Sequence, residues 1–280
     1  MRWLTTRHAI DLTRPRVMAI VNVTPDSFSD GGRHDEASAA IAHCERLLAD
    51  GADILDIGGE STRPGAALID DATECARVLP VLRAALTLGV PVSVDTSSPA
   101  LMRQALDLGA DIINDVRSLR RPGALACLAA HGRAGICLMH MRGEPATMAA
   151  DTVYGDVVGE VGAFLAQRLA EVRAAGIDPE RIVLDPGIGF AKRSAHNLQL
   201  LARQAELLAL GRPLLVGWSR KGTLGRITGR VAGELQAASA AAALIAVVRG
   251  AAIVRVHDVR ATVDALRVLH AVQLGRIEAG

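Results

Sequence analysis

Eight times along the chain, a short run of apolar and mostly β-branched residues is followed by a longer stretch rich in alanine, leucine and charge. The runs are Val17 to Val23, Ile54 to Ile57, Val92 to Asp95, Ile112 to Asn114, Ile136 to Met139, Ile182 to Asp185, Leu214 to Gly217 and Ile253 to Val256. Continuous apolar character suits strands covered on both faces, as in a parallel sheet. Helical patterns follow at about 36–50, 71–88, 99–108, 122–131, 155–176, 195–209, 234–249 and 258–274, with Pro99, Pro122 and Asp258 as suitable helix starts. Eight consecutive strand–helix units close most economically into one (β/α)8 barrel, with an open doubly wound sheet as the rival. The G-x-G-x-x-G fingerprint is missing after the first run, and Asp185-Pro186-Gly187-Ile188-Gly189 holds only a G-x-G, which weakens the rival. No Pro/Ser/Gly-rich linker divides the chain. The expected organisation is a short N-terminal extension, residues 1–16, packed on a single barrel of residues 17–280.

Composition narrows the function. With 280 residues, half of them apolar, the chain can bury a large core. Its 31 basic and 30 acidic side chains and 2 % aromatic content provide neither the basic field nor the stacking rings of a nucleic-acid binder. The longest nearly uninterrupted apolar stretch, Ala237 to Val248, falls short of the roughly 20 residues that cross a bilayer. Arg2, Arg7, Asp11, Arg14 and Arg16 interrupt the N-terminus, so no secretory signal is expected and the cytoplasm is the expected compartment. Cys44, Cys75, Cys127 and Cys137 show no C-x-x-C spacing and read as reduced core residues.

The chemistry of such a barrel lies where its strands end. Asn22, Asp56, Asp95, Asn114, Asp185, Arg255 and His257 all fall at or near the ends of apolar runs. Burying such groups without partners costs roughly 1–3 kcal/mol each, so their convergence calls for a ligand, water or one another. Asp95, Asn114 and Asp185 form an acceptor-rich set suited to a planar nitrogen heterocycle, or equally to a metal bound by hard oxygens. Arg63, Arg220, Lys221, Arg255 and His257 form a basic set in the second, seventh and eighth loops and predict an anionic group on the substrate. The loops Thr24 to Gly32 and Gly58 to Ala66 combine glycine, proline and polar side chains, which suits lids over a site. Phe28, one of three phenylalanines, sits in the first of them.

Eight segments occur together and in order: Asn22-Val23-Thr24-Pro25-Asp26-Ser27-Phe28-Ser29-Asp30-Gly31-Gly32, Gly58-Gly59-Glu60-Ser61-Thr62-Arg63-Pro64-Gly65, Val94-Asp95-Thr96, Ile113-Asn114-Asp115, Met139-His140-Met141, Leu184-Asp185-Pro186-Gly187, Ser219-Arg220-Lys221 and Arg255-Val256-His257-Asp258. Together they resemble the dihydropteroate synthase family, pterin-binding enzymes with a (β/α)8 TIM barrel that join p-aminobenzoate to 6-hydroxymethyl-7,8-dihydropterin pyrophosphate. The resemblance implies a pterin pocket of Asp95, Asn114, Asp185 and Lys221, and a pyrophosphate site of Asn22, Arg63, Arg255 and His257 with Mg²⁺ near Asn22. It implies p-aminobenzoate surroundings of Thr62, Pro64, Phe190, Gly217 and Ser219, competition by sulfonamides there, and a homodimer; the alanine-rich stretch Leu235 to Val248 could supply a helix contact, with burial against the barrel as an equal reading.

The catalytic residues implied are Asp95, Lys221, Arg255 and His257. Pyrophosphate departure, assisted by Mg²⁺, would precede attack by the amine, with Asp95 stabilising a cationic methylene. Two departures from the family pattern stand out: Gly222 follows Lys221 where serine is common, and Ala191 follows Phe190 where glycine is common. The alternatives are a pterin-binding corrinoid methyltransferase domain, which has no need of the basic set, and a non-catalytic pterin-binding paralogue, in which the first two loops would be eroded.

Overall fold

The computed structural model of the chain describes residues 1–23, 33–60, 69–144, 147–148 and 151–277. Two short strands, β1 (Arg2–Leu4) and β2 (Ala9–Asp11), pair antiparallel as a hairpin. Then follow β3 (Arg16–Asn22), α1 (Arg33–Ala49), β4 (Ile54–Gly58), α2 (Asp71–Ala85), β5 (Val92–Asp95), α3 (Pro99–Leu108), β6 (Ile112–Asp115), α4 (Ala124–His131), β7 (Gly135–Met139) and α5 (Val157–Ala174). The chain continues through β8 (Ile182–Asp185), α6 (Ser194–Ala202), β9 (Leu214–Val216), α7 (Gly222–Thr228), α8 (Gln236–Val248), β10 (Ala251–Val256) and α9 (Val259–Leu274). Strands β3 to β10 close into a parallel barrel in chain order, β10 pairing with both β9 and β3.

The eight apolar runs become the eight barrel strands, because residues buried on both faces need covering inside and out. Every residue of β4, β6, β7, β8 and β9 is buried. Helices form where local signals agree. Ser98 caps α3 by accepting from the Leu101 amide at 3.3 Å, Pro99 occupies its first turn, and Gly109 ends it in the left-handed region at φ +98°.

Some boundaries differ from the sequence reading. Helix α4 starts at Ala124 rather than Pro122, because Gly123 turns left-handed at φ +89° immediately before it. The expected helix at 195–209 is α6 followed by a tight 3-10 segment, Gln204–Leu210. Helix α7 is an addition: its glycines at 222 and 225 hide a helical pattern that tertiary packing nevertheless imposes.

The hairpin closes the N-terminal end of the barrel. Trp3 is fully buried among Met18, Ile54, Ile112, Cys137, Val183, Leu215 and Ile253, and its Nε1 donates to the Arg181 carbonyl at 2.9 Å. Arg7 donates to Asp111 through Nε at 3.1 Å and Nη2 at 2.6 Å, and the same buried carboxylate accepts the Val92 amide at 3.0 Å. All four cysteines are unpaired, and Cys44, Cys75 and Cys137 are buried. Among the described residues no helix is long and apolar enough to cross a membrane.

Candidate active site

Strand register sets the floor of the site. Asn22 pairs with Gly58, Gly58 with Asp95 and Asp95 with Asn114, so four strand ends form one continuous row. Asp56 lies two residues before Gly58 on β4 and therefore points to the same side, one layer deeper. Gly58 contributes no side chain above it; a Cβ there would stand 3.4 Å from the Asp95 Cβ.

Arg255, from β10, reaches across the barrel mouth into this layer. Its Nε donates to Asp56 Oδ2 and its Nη2 to Asp95 Oδ2, both at 2.6 Å. Asn114 Nδ2 donates to the same Asp56 oxygen at 3.1 Å. One carboxylate thus aims both the guanidinium and the amide. Asp56 is fully buried, and its other oxygen, Oδ1, has no hydrogen-bond partner among the described residues.

The opposite wall comes from β8 and β9 and the loops that follow them. Asp185 Oδ1 accepts the Gly187 amide at 2.7 Å, which aims the carboxylate across the mouth. Lys221 stands immediately before α7, with Nζ 4.4 Å from the Phe190 ring centroid. Gly217 lies against Arg255, 4.0 Å from the Arg255 Cβ for a Cβ built there. Ser219 Oγ accepts the His257 amide at 3.1 Å and lies 3.0 Å from His257 Nδ1, so this hydroxyl groups with His257. Arg220 pairs with Asp258 through Nε at 3.1 Å and Nη2 at 2.6 Å, which engages its charge away from the basic set predicted from sequence.

Burial dominates the electrostatics. It pushes Asp95 up to about 7, with Arg255 opposing, and also raises Asp185, with the Gly187 amide and Lys221 opposing. Lys221 falls to about 8 through burial, against the pull of Asp185. His257 falls to about 3, through burial and then the neighbouring Arg255, so at neutral pH it is an uncharged imidazole rather than a cation. Arg255 is held firmly charged by Asp56 and Asp95 in spite of its burial. The site therefore combines a fixed cation, a buried amine and carboxylates whose ionisation is costly.

Beside the floor, Arg117 links two loops, with Nε 2.5 Å from Glu144 Oε2 and Nη1 3.5 Å from Glu60 Oε2. Glu74 of α2 lies beneath Gly59, where a Cβ would come within 3.3 Å of its Cγ. Burial pushes this carboxyl up to about 7, a hydrogen bond with Thr96 opposing.

Of the residues picked from sequence, Asn22, Asp95, Asn114, Asp185, Phe190, Gly217, Ser219, Lys221, Arg255 and His257 stand around one barrel mouth. Thr62, Arg63 and Pro64, and Phe28 of the first loop, lie outside the described residues. Sequence reasoning noted Asp56 as polar but gave it no role; the available signal was an acid inside an otherwise apolar run. For the metal, no group of three or more His, Cys, Asp or Glu side chains among the described residues could hold an ion. Asn22, half-buried at the end of β3, carries one amide oxygen. That suits Mg²⁺, which keeps waters, draws ligands from phosphate and needs only one or two protein oxygens.

The chain is similar to proteins of known function along nearly its whole length. A family model described as a pterin binding enzyme matches residues 18–257. Dihydropteroate synthase of Neisseria meningitidis serogroup B is 54 % identical over 275 residues, covering 96 % of each chain. The structure of Xanthomonas albilineans dihydropteroate synthase with 4-aminobenzoic acid is 50 % identical, with TM-score 0.92 over 97 % of this chain and 98 % of that one. The same organism's enzyme in complex with 7,8-dihydropteroate is 47 % identical, with TM-score 0.89 over 98 % and 99 %. A parallel barrel with this polar mouth, matched along nearly its whole length, belongs to the dihydropteroate synthase family of folate-pathway transferases.

Proposed function

We propose that the chain condenses p-aminobenzoate with 6-hydroxymethyl-7,8-dihydropterin pyrophosphate, giving 7,8-dihydropteroate and pyrophosphate. The observation that carries the reading is the cluster in which Asp56 aims Arg255 and Asn114 beside Asp95, at the ends of four different strands. Asp95, Asn114 and Asp185 accept from the ring and amino N–H groups of the pterin, and Lys221 donates to its carbonyl and ring nitrogen. Arg255 and His257, with Asn22 and Arg63, receive the pyrophosphate. Asn22 would hold Mg²⁺, which when bound would supply charge neutralisation for the leaving group.

The C–O bond of the methylene breaks first, and its electron pair leaves with the pyrophosphate. The positive charge left behind delocalises into the dihydropterin, and ionised Asp95 stabilises it. The aniline nitrogen then attacks the methylene carbon, forming the C–N bond, and loses its proton. The arylamine approaches beside Phe190 and Lys221, with Thr62, Pro64, Gly217 and Ser219 completing its surroundings. The amide at the start of α7, where Gly222 stands, serves the arylamine carboxylate in place of a serine hydroxyl. Sulfonamides compete at the same place. We further propose a cytoplasmic homodimer, with the exposed Ile245 and Val248 of α8 and Val268 and Val272 of α9 in its interface. Sedimentation of the protein at micromolar concentration checks the dimer.

The direct test is pyrophosphate release by the purified protein with Mg²⁺, with and without p-aminobenzoate. Release that depends on p-aminobenzoate and yields dihydropteroate is the expected outcome. Pterin binding without release would instead indicate a binding paralogue or methyl transfer.

A further inference from the structure

His140 and Lys192 have no part in the chemistry above, yet they form a buried, hydrogen-bonded pair beside it. Lys192 is 8 % exposed and His140 2 %. The Lys192 nitrogen lies 2.9 Å from the Gly187 carbonyl, 2.9 Å from the Phe190 carbonyl and 2.8 Å from His140 Nδ1, with the His140 carbonyl at 3.4 Å. An ammonium has three donors and no acceptor, so these acceptors use all of them, and Nδ1 is the unprotonated ring nitrogen. Burial and the neighbouring ammonium push His140 down to about 2, which keeps the imidazole neutral. The acceptors hold the ammonium form of Lys192 against burial, which pulls its pKa to about 7 while Asp185 opposes.

The two loop carbonyls bracket the turn that follows β8, so the ammonium draws both ends of that turn onto the end of β7. Contact there is close: at Gly187, φ +68°, a Cβ would stand 1.9 Å from the His140 carbonyl oxygen. The His140 ring is itself held edge-on by Phe164 at 4.9 Å between centroids. On the other side, Asn197 accepts the Gly189 amide at 2.9 Å and donates to Thr223 of α7 at 3.0 Å. The side chain this framework places is Phe190, facing Lys221.

We propose that Lys192 and His140 are a positioning pair for the arylamine subsite, holding the Phe190 ring at the separation from Lys221 that admits a flat aromatic amine. This rests on the reading of Phe190 as a wall for p-aminobenzoate. Asp95, Asn114 and Asp56 are held by other strands, and of the pterin groups only Asp185, through the Gly187 amide, and Lys221, beside Phe190, touch this turn, so the effect of the pair falls chiefly on the arylamine.

Steady-state kinetics with each substrate varied separately provide the test. Lys192→Met, which fills the same volume without donors, is expected to raise the KM for p-aminobenzoate about tenfold while that for the pterin pyrophosphate stays within about threefold. His140→Leu should act in the same direction. His140→Asn, which keeps an acceptor near the Nδ1 position, should restore a KM close to that of the unmodified protein. An unchanged p-aminobenzoate KM in folded Lys192→Met, or an equal rise for both substrates, overturns the proposal. If Lys192→Met does not fold, the histidine variants decide, and equal constants for Leu and Asn overturn it. Phe190→Ala separates the two levels. No change there overturns the arylamine assignment itself, whereas a raised KM there beside an unaffected Lys192→Met overturns only the positioning role.

Discussion

Asp56 shows how one side chain can set the geometry of a site without facing its ligand. Its Oδ2 accepts both from Arg255 Nε and from Asn114 Nδ2. The guanidinium is held between Asp56 and Asp95, and because Asn114 bonds Asp56 through its nitrogen, its amide oxygen is not used there. Replacing Asp56 by Asn removes one of the two charges holding Arg255, a charge-assisted interaction worth about 2 kcal/mol. The expected result is a roughly 30-fold weaker affinity for the pterin pyrophosphate, measured by calorimetry, with a smaller loss for pterin lacking the pyrophosphate. Asp95 makes a second prediction at this scale. Its folded pKa is raised to about 7, and the ionised carboxylate is the form that stabilises a cationic methylene. Turnover per bound substrate should therefore fall as pH drops through about 7, and the residual rate of Asp95→Asn should lack that acid limb.

At the scale of elements, the helices and loops around the mouth carry costs of their own. Glu74, on the inner face of α2, keeps a carboxyl nearly out of water, and its Oε1 has no hydrogen-bond partner among the described residues. Its pKa rises from 4.5 to about 7 on folding, so the folded state holds the proton more tightly than the unfolded chain does. Stability from this group is therefore present below pH 4.5 and is lost as pH rises through that window toward 7. Glu74→Gln should raise the melting temperature at pH 8 by roughly 2–6 °C, and the gain should vanish near pH 4. Scanning calorimetry at the two pH values checks the sign. The turn after β8 carries strain of a different kind. Ala191 sits at φ +51°, in the left-handed region that favours glycine.

For the whole molecule, the two ends of the barrel divide stability from function. The C-terminal end gathers the charges, whereas the N-terminal end is sealed by Trp3 and by the Arg7–Asp111 pair. Trp3→Ala would open a cavity among the eight other buried side chains of its cluster and cost about 3–5 kcal/mol. The expected consequence is a melting temperature lower by roughly 6–15 °C with little change in the KM of either substrate, because the barrel separates the plug from the mouth. An increase in KM at temperatures where the variant is fully folded would show that the plug also acts on the site.

Much of this molecule was legible in its sequence, for a local reason. Runs such as Ile54 to Ile57 and Ile182 to Asp185 are buried on both faces wherever a parallel sheet forms, so their composition announces the strands and their number announces closure. Polar residues ending those runs, Asp95, Asn114 and Asp185 among them, marked the mouth because burial makes such groups expensive without partners. The chain by itself therefore determined the barrel and many of the polar groups at its mouth. Tertiary structure decided which of those groups pair. That Arg220 is engaged by Asp258, that Ser219 serves His257, and that Lys192 holds the turn bearing Phe190 depends on distances between residues brought together from separate strands and loops. Even the uncharged state of His257 comes from burial beside Arg255, an environment that exists only once β10 has closed against β3 and β9.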